Sequence, residues 1–219
     1  MKKAFNIIVC ALLLVSTLTA CKNTSKEQNT SEDTTISPSK TTLNSGNYTA
    51  NTASSKINWK ASKPTGTHFG TVSLKNGSLT VTDGIISAGS FEIDMTSIDI
   101  QDMPKEDKNH AKLLNHLKSD DFFSVDTYST ATFNVLNTVE KDGATVISGN
   151  LTIKNIANTI EFPVTITQDN STLTLSSATF TIDRTKWDIK YKSKSIFGDL
   201  GDKFINDEIE LNIIIALEK

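Results

Sequence analysis

The 219-residue sequence predicts an all-β sandwich or barrel of about eight to ten strands with a single inserted helix. Three observations predict it. Apolar residues alternate with polar ones in a series of short segments separated by turn dipeptides, the pattern of strands in a sandwich or barrel. Only one stretch, around Leu113, Leu114 and Leu117, has helical spacing. The last strand is long and two-faced: Ile209, Leu211, Ile213, Ile215 and Leu217 share one side, and Glu208, Glu210, Asn212 and Glu218 the other. An exposed edge of that length would template pairing with other chains, and closure into a barrel removes it. About eight strands enclose an interior wide enough for side chains or for one small ligand.

Taken in order, Ile57, Trp59 and Ala61 open the strand pattern. Val72 and Leu74 follow. Asn76-Gly77 then reads as a tight turn with Leu79 and Val81 on the return strand, and Asp83-Gly84 as a second turn. Ile86 and Ala88 are out of phase with Phe91, Ile93 and Met95, which predicts a bulge near Gly89. Pro104 to Lys118 reads as the helix, with proline in the first turn and Glu106 and Asp107 near the positive end of its dipole. Ser119 to Asp121 turn the chain. Phe122 and Phe123, if extended, point to opposite faces, Phe122 to the interior and Phe123 to the helix, or the reverse. Ala131, Phe133 and Val135 alternate, Asp142-Gly143 is a turn, and Leu151 and Ile153 continue. Ile160, Phe162, Val164 and Ile166 follow, with Pro163 marking an edge or bulge. Asp169-Asn170 is the next turn. Leu173 and Leu175, then Phe180 and Ile182, form a strand interrupted at Ser176-Ser177.

Ahead of this domain, Met1-Lys2-Lys3 precedes an apolar run from Ile7 to Val15 and the ending Leu18-Thr19-Ala20-Cys21. These are the parts of a secretory signal peptide. A retained span would need roughly 20 apolar residues. The ending resembles a bacterial lipobox, which implies that residues 1–20 are removed and that Cys21 carries the lipid anchor. Acylation by more than one chain would hold the protein on a membrane surface. Residues 22–45 read as a disordered tether: 11 of these 24 residues are Ser or Thr and no apolar face recurs. Residues 46–219 are the folded domain. The expected location is the cell envelope, outside the cytoplasm. Lys22, where an aspartate would favour inner-membrane retention, favours the outer membrane.

Little of the sequence suggests catalysis. The only cysteines are Cys10 and Cys21, so the folded domain has no thiol chemistry and no disulfide. His110 and His116 lie six apart, on different sides of a helix, and His68 is remote. No metal, cofactor or phosphate-loop motif occurs. Asp120 and Asp121 read as caps or solvated groups, and Ser119 and Ser195 have no visible base. The net charge of −3, with no long basic run, argues against a nucleic-acid partner. Arg184, Lys186, Lys190, Lys192 and Lys194, interleaved with Trp187 and Tyr191, read either as a solvated loop or as a cationic rim. As a rim, Arg184, Lys186 and Lys190 would meet an anionic head group.

The stretch His116–Phe133, HLKSDDFFSVDTYSTATF, resembles the central signature of the YceI-like family. Three further pieces agree in order: Thr65–Val72, Gly149–Lys154 with Ile160–Val164, and Phe180–Trp187. The departures fall in turns, with Asn155 in place of a glycine, Ser124 of an aspartate and Ser129 of a proline. The resemblance covers Gly46 to Lys219. It implies a lipocalin-like antiparallel barrel of about eight strands with an elongated apolar interior that holds a polyisoprenoid or related lipid, and it implies no catalytic residues. The apolar alternate positions Trp59, Phe91, Phe122, Phe133, Phe162 and Ile213 are the candidates for lining that interior, or for ordinary core. The expected function is a membrane-anchored carrier of a quinone or polyprenyl lipid. The rival is an envelope barrel filled by its own side chains for partner contact.

Overall fold

The computed structural model describes residues 43–219. The signal segment, Cys21 and the tether as far as residue 42 lie outside the described residues. Strands β1 (Gly46–Lys63), β2 (Gly66–Thr82) and β3 (Ile85–Ile100) are followed by helix α1 (Lys108–Lys118). Then come β4 (Thr130–Lys141), β5 (Ala144–Ile153), β6 (Ile156–Asp169), β7 (Thr172–Ser177), β8 (Phe180–Asp183) and β9 (Glu208–Glu218). Successive strands pair antiparallel, and β9 pairs back onto β1 to close the ring. β7 lies against residues Ile214–Glu218 of β9, and β8 against Glu208–Leu211. They are two halves of one strand, so the closed barrel has eight.

The halves part because the inward phase changes. Leu173, Leu175 and Ser177 are buried, then Phe180 and Ile182 face inward, with the exposed Ala178-Thr179 resetting the register. The interruption therefore falls just after Ser176-Ser177. At the gap the Ser177 hydroxyl accepts from the Ile213 amide (2.9 Å), and Asn212 Nδ2 donates to the Ser177 carbonyl (2.8 Å). The same device recurs at two other irregularities. Between Asn51 and Lys56, where β1 slips against β9, the Ser55 hydroxyl accepts from the Ala216 amide. Where β3 bulges over Met95–Ile98, the Ser97 hydroxyl accepts from the Ser73 amide. A serine oxygen thus replaces a missing ladder carbonyl each time, leaving no orphaned donor.

The two ends of the barrel differ. One carries the tight turns Asp83-Gly84 and Asp142-Gly143, with positive φ at both residues as two-residue hairpins require. The chain enters at this end. Tyr48, Leu79, Val81, Leu173 and Leu217 fill it, all essentially without solvent exposure. The Tyr48 hydroxyl donates to the Asn44 carbonyl and accepts from Gln168 Nε2. Leu43 is buried here and Ser45 Oγ accepts from the Asp83 amide, so residues 43–45, expected as tether, belong to the domain. The opposite end carries the inserted residues 101–129 with α1 and the long β8–β9 connection.

Three local expectations are corrected. Asn76-Gly77 is not a turn: β2 runs straight through it, and the hairpin lies earlier, at Pro64-Thr65. Gly77 serves close approach instead, since a Cβ there would stand 2.4 Å from the Phe91 ring. The bulge in β3 falls at Ser87, skipped between the pairs Thr80–Ala88 and Val81–Ile86. The helix begins at Lys108, because Asp107 caps it by accepting from the Asn109 amide, and Pro104 belongs to the preceding turn.

The serine patches give a direct test. Ser177→Ala removes the only acceptor for a strand amide inside the sheet and should lower unfolding free energy by about 1–3 kcal/mol. Urea denaturation of the two chains, compared at equal slope, measures it.

Candidate functional site

The half of the barrel away from Tyr48 is hollow. It holds a cavity of about 180 Å³ whose wall presents carbon and no polar surface. Inward positions of the strands supply most of the wall, and the non-strand residues Leu117, Phe122, Phe123, Trp187, Ile189 and Ile205 close its end. Trp59, Phe91, Phe122, Phe133, Phe162 and Ile213 all stand on this wall. The interior is apolar, as the family resemblance implied, but it is confined to one half of the barrel.

Two features organise the wall. Phe133 leans on Phe162 (ring centroids 5.6 Å), and Phe162 stacks on Phe180 at 4.4 Å, within 6° of parallel. Flat packing of this kind needs bare backbone beside it. A Cβ on Gly149 would lie 2.4 Å from the Phe133 ring, and one on Gly70 would lie 2.9 Å from Trp59. Phe180 was not among the sequence candidates. Its strand is four residues long, too short for alternation to assign a face.

The indole N–H groups of the wall are both turned outward into the backbone. Trp59 Nε1 donates to the Thr71 carbonyl (3.3 Å) and Trp187 Nε1 to the Leu151 carbonyl (3.0 Å). Trp187, which the sequence placed in a basic loop, is fully buried at the cavity end. Phe122 and Phe123 both line the cavity rather than dividing between two faces. The segment is not extended. It folds into successive turns in which the Ser124 amide donates to Ser119 and the Val125 amide to Lys118, with Ser124 left-handed at φ 46°.

The basic cluster divides. Arg184 is 1 % exposed, so it is no rim residue. It follows β8 in a single 3₁₀ turn, Arg184–Trp187, capped by Asp183. Its Nε donates to the Asn206 carbonyl (3.1 Å), Nη1 to Ile189 (2.8 Å), and Nη2 to Ile205 (3.0 Å) and Asp207 Oδ1 (3.4 Å). A guanidinium so engaged has no fork left for a ligand phosphate. Lys186 is exposed on the same turn. Lys190 pairs with Asp188 and lines a shallow outer depression together with Asp120, Asp121, Tyr191, Lys192 and Phe197. Tyr191 and His116 stack edgewise (4.7 Å), and both reach Phe122, at 5.6 and 4.9 Å. This aromatic trio stands between the depression and the cavity.

The other titratable groups have structural partners. His68 Nδ1 meets Asp102 Oδ2 at 2.8 Å, His110 Nε2 lies 3.3 Å from the Ile100 carbonyl, and His116 Nε2 lies 2.9 Å from Asp121 Oδ2. Asp120 accepts from the Ser124 hydroxyl, and Ser195 donates to Asp207 Oδ2 at 2.6 Å. Among the described residues no three His, Cys, Asp or Glu side chains gather to hold a metal. Burial raises the Asp207 carboxyl, but hydrogen bonds from the Ser195 and Ser193 side chains and the Ser195 amide, with the Arg184 charge, outweigh it and hold the group below the usual carboxylate range. At Asp102 burial is likewise outweighed, by His68 and the Phe69 amide.

A closed antiparallel barrel, plugged at one end and hollow and carbon-lined at the other, belongs to the class of small barrels that enclose an apolar cavity. The chain belongs to the YceI-like domain family, whose model matches residues 48–217. No curated protein matches the chain. Among solved structures, BcnA of Burkholderia cenocepacia superposes with a TM-score of 0.57 at 20% identity, over 76% of this chain and 98% of that one. A polyisoprenoid binding domain from Saccharophagus degradans, implicated in plant cell wall breakdown, gives 0.55 at 14% identity, over 78% and 97%. The YCEI protein of Campylobacter jejuni gives 0.50 at 20% identity, over 67% and 82%. At these identities the likeness is one of fold.

The Arg184–Asp207 knot predicts an acid response. A carboxyl depressed in the fold stabilises the protein above its unfolded-state value, and this stabilisation is lost as pH falls through the depressed folded value. Asp207→Asn should therefore be less stable than the parent at neutral pH and should lose less stability on acidification below the ordinary carboxylate range. Urea midpoints across that range measure both. Arg184→Met, which leaves three carbonyls without their donor and Asp207 without its neighbouring cation, should cost about 3–5 kcal/mol.

Proposed function

We propose that the barrel binds an isoprenoid lipid, a quinone or a polyprenyl carrier, with its hydrocarbon chain in the hollow half. The observation that carries this reading is the wall itself: about 180 Å³ lined without polar surface. Water gains no hydrogen bond in such a space, and apolar cavities of this order stay dry and take up hydrocarbon. An isoprene unit has five carbons, so burying one contributes at most roughly 4 kcal/mol at ~0.8 kcal/mol per carbon. A few units, one or two of them in the cavity and the rest along the surface that leads to it, would offset the cost of association and reach micromolar affinity, about −8 kcal/mol. The name of the Saccharophagus degradans domain, polyisoprenoid binding, supports the same ligand class.

The role is one of binding rather than catalysis. Asp120, Asp121 and His116, the side chains an enzymatic reading would use, are held by Ser124 and by each other. Anchored through a lipidated Cys21, on the outer membrane as Lys22 suggests, the domain would sequester or carry its lipid in the cell envelope. A barrel packed solely for partner contact accounts for the end filled by Tyr48 and leaves the hollow half unexplained.

Native mass spectrometry of protein purified from its own host should detect a co-purifying isoprenoid. Delipidated protein should take up a polyprenyl or quinone ligand at micromolar concentration; failure to do so would sink the reading. Val72 stands on the wall beside open space, so Val72→Phe should fill part of the cavity and weaken uptake at least tenfold with the melting temperature little changed.

A further inference from the structure

We propose that the β8–β9 loop docks the hollow end of the barrel onto an anionic bilayer surface. Its tip presents two consecutive apolar side chains to solvent, Ile196 at 43 % and Phe197 at 48 % exposure. Adjacent exposed residues of this size are what an interfacial anchor needs. The flanking charge fits anionic lipid. Residues 186–203 hold five lysines (Lys186, Lys190, Lys192, Lys194, Lys203) against Asp188, Asp199 and Asp202, in a chain whose net charge is −3. Lys192 lies over the Tyr191 ring and Lys194 over Phe204, so their stems follow apolar surface while the ammonium groups remain at the rim.

The loop presents this tip from a fixed base. Ser193 is fully buried, its carbonyl accepts from the Phe197 amide, and the Ile205 amide donates to Lys192. Ser195 is tied to Asp207, and Arg184 holds residues 189, 205 and 206. Ile196 and Phe197 are therefore turned out by a hydrogen-bonded frame.

The patch is also continuous with the cavity. Phe197 shares the outer depression with Tyr191, Tyr191 touches Phe122, and Phe122 is cavity wall. A hydrocarbon chain drawn from a membrane at Phe197 meets aromatic surface all the way inside. Asp120 and Asp121 face the same depression, with one carboxylate oxygen of each held, by Ser124 and by His116. The docking goes beyond lipid binding and is measurable whether or not the cavity holds a ligand.

The test is a local reporter in the full chain, because the N-terminal apolar segment can itself bring the protein to vesicles. Phe197→Trp and, as a control on the outer wall, Leu136→Trp are each mixed with vesicles of phosphatidylcholine containing roughly 30 % phosphatidylglycerol and brominated acyl chains. Trp59 and Trp187 supply a constant background. The F197W chain should show a blue shift and bromine quenching that pure phosphatidylcholine and high salt diminish, and the L136W chain should show neither. Each lysine near an anionic surface contributes about fivefold to partitioning, so adding Lys192→Glu and Lys194→Glu should weaken the F197W response at least 25-fold. Ile196→Ser with Phe197→Ser should slow lipid uptake from vesicles while sparing uptake from detergent micelles. Unchanged F197W emission on anionic vesicles, or an equal response at position 136, overturns the proposal. A total loss of uptake from micelles by the wild-type chain would instead refute lipid binding and leave the docking result standing.

Discussion

The hollow end depends on one buried cation. Arg184 leaves β8 and binds backbone carbonyls of Ile189, Ile205 and Asn206, so both legs of the β8–β9 connection are tied to a single side chain. Burial lowers the arginine pKa, with Asp207 and Asp183 opposing the shift. An arginine starts so far above neutrality that it stays charged. A buried charge without partners costs several kcal/mol, so this group tolerates few arrangements of the chain around it. The arrangement it enforces sets Trp187, Ile189 and Ile205 across the end of the cavity. The end wall is apolar because the polar requirement is met one layer behind it.

A cavity in a globular core forfeits packing energy. Here the sheet supplies what the interior does not. Closure between β1 and β9 joins the two ends of the sheet, and serine hydroxyls bridge three of its irregularities, at Ser55, Ser97 and Ser177. Core packing is concentrated at the opposite end, around Tyr48, Leu173 and Leu217. β3 pairs with β4 only over Ser90–Asp94, and beyond that the insertion takes over, with the Met95 amide donating to Ser129 and Lys118 Nζ to the Thr96 carbonyl. The helix therefore completes the wall where the sheet stops, and its Leu117 reaches the cavity.

Period-two alternation made the barrel legible, since the faces of β9 and the run Phe91–Met95 hold without correction. Turns with positive φ at Asp83-Gly84 and Asp142-Gly143 were legible for the same local reason. Asn76-Gly77 misled because its glycine answers a tertiary demand, room for Phe91, that sequence cannot display. Phe122-Phe123 misled because opposite facing holds only for extended chain, and Ser124 carries a left-handed angle without a glycine to announce it. The cavity side chains were readable as inward positions, but nothing local distinguishes a residue lining space from one filling it. Arg184 is the sharpest case. Its neighbours in sequence are lysines in solvent, and its partners lie up to 23 residues away, across a loop with no regular pattern.

A wall of this kind constrains selectivity as well as affinity. Both indole N–H groups and the bonded guanidinium nitrogens are directed at backbone or carboxylate oxygens, so a chain in the cavity meets no donor. Discrimination by hydrogen bonding, which separates ligands by large factors because a mismatch strands a buried polar group, has no purchase there. What remains is shape. The Phe133–Phe162–Phe180 ladder is a flat, stiff surface held by neighbouring strands, and Gly149 beside it fixes how closely the rings lie to the sheet. A methyl-branched chain and a linear acyl chain differ in cross-section, and the cost of misfit in a rigid wall grows with each unit inserted. For the ligand class proposed, choice of the head group would therefore be displaced outward, beyond Phe122 and Tyr191. There Lys190 and Lys192 stand among Asp120, Asp121 and Asp188, and mixed charge of this kind would suit a polar, uncharged head better than a dianion.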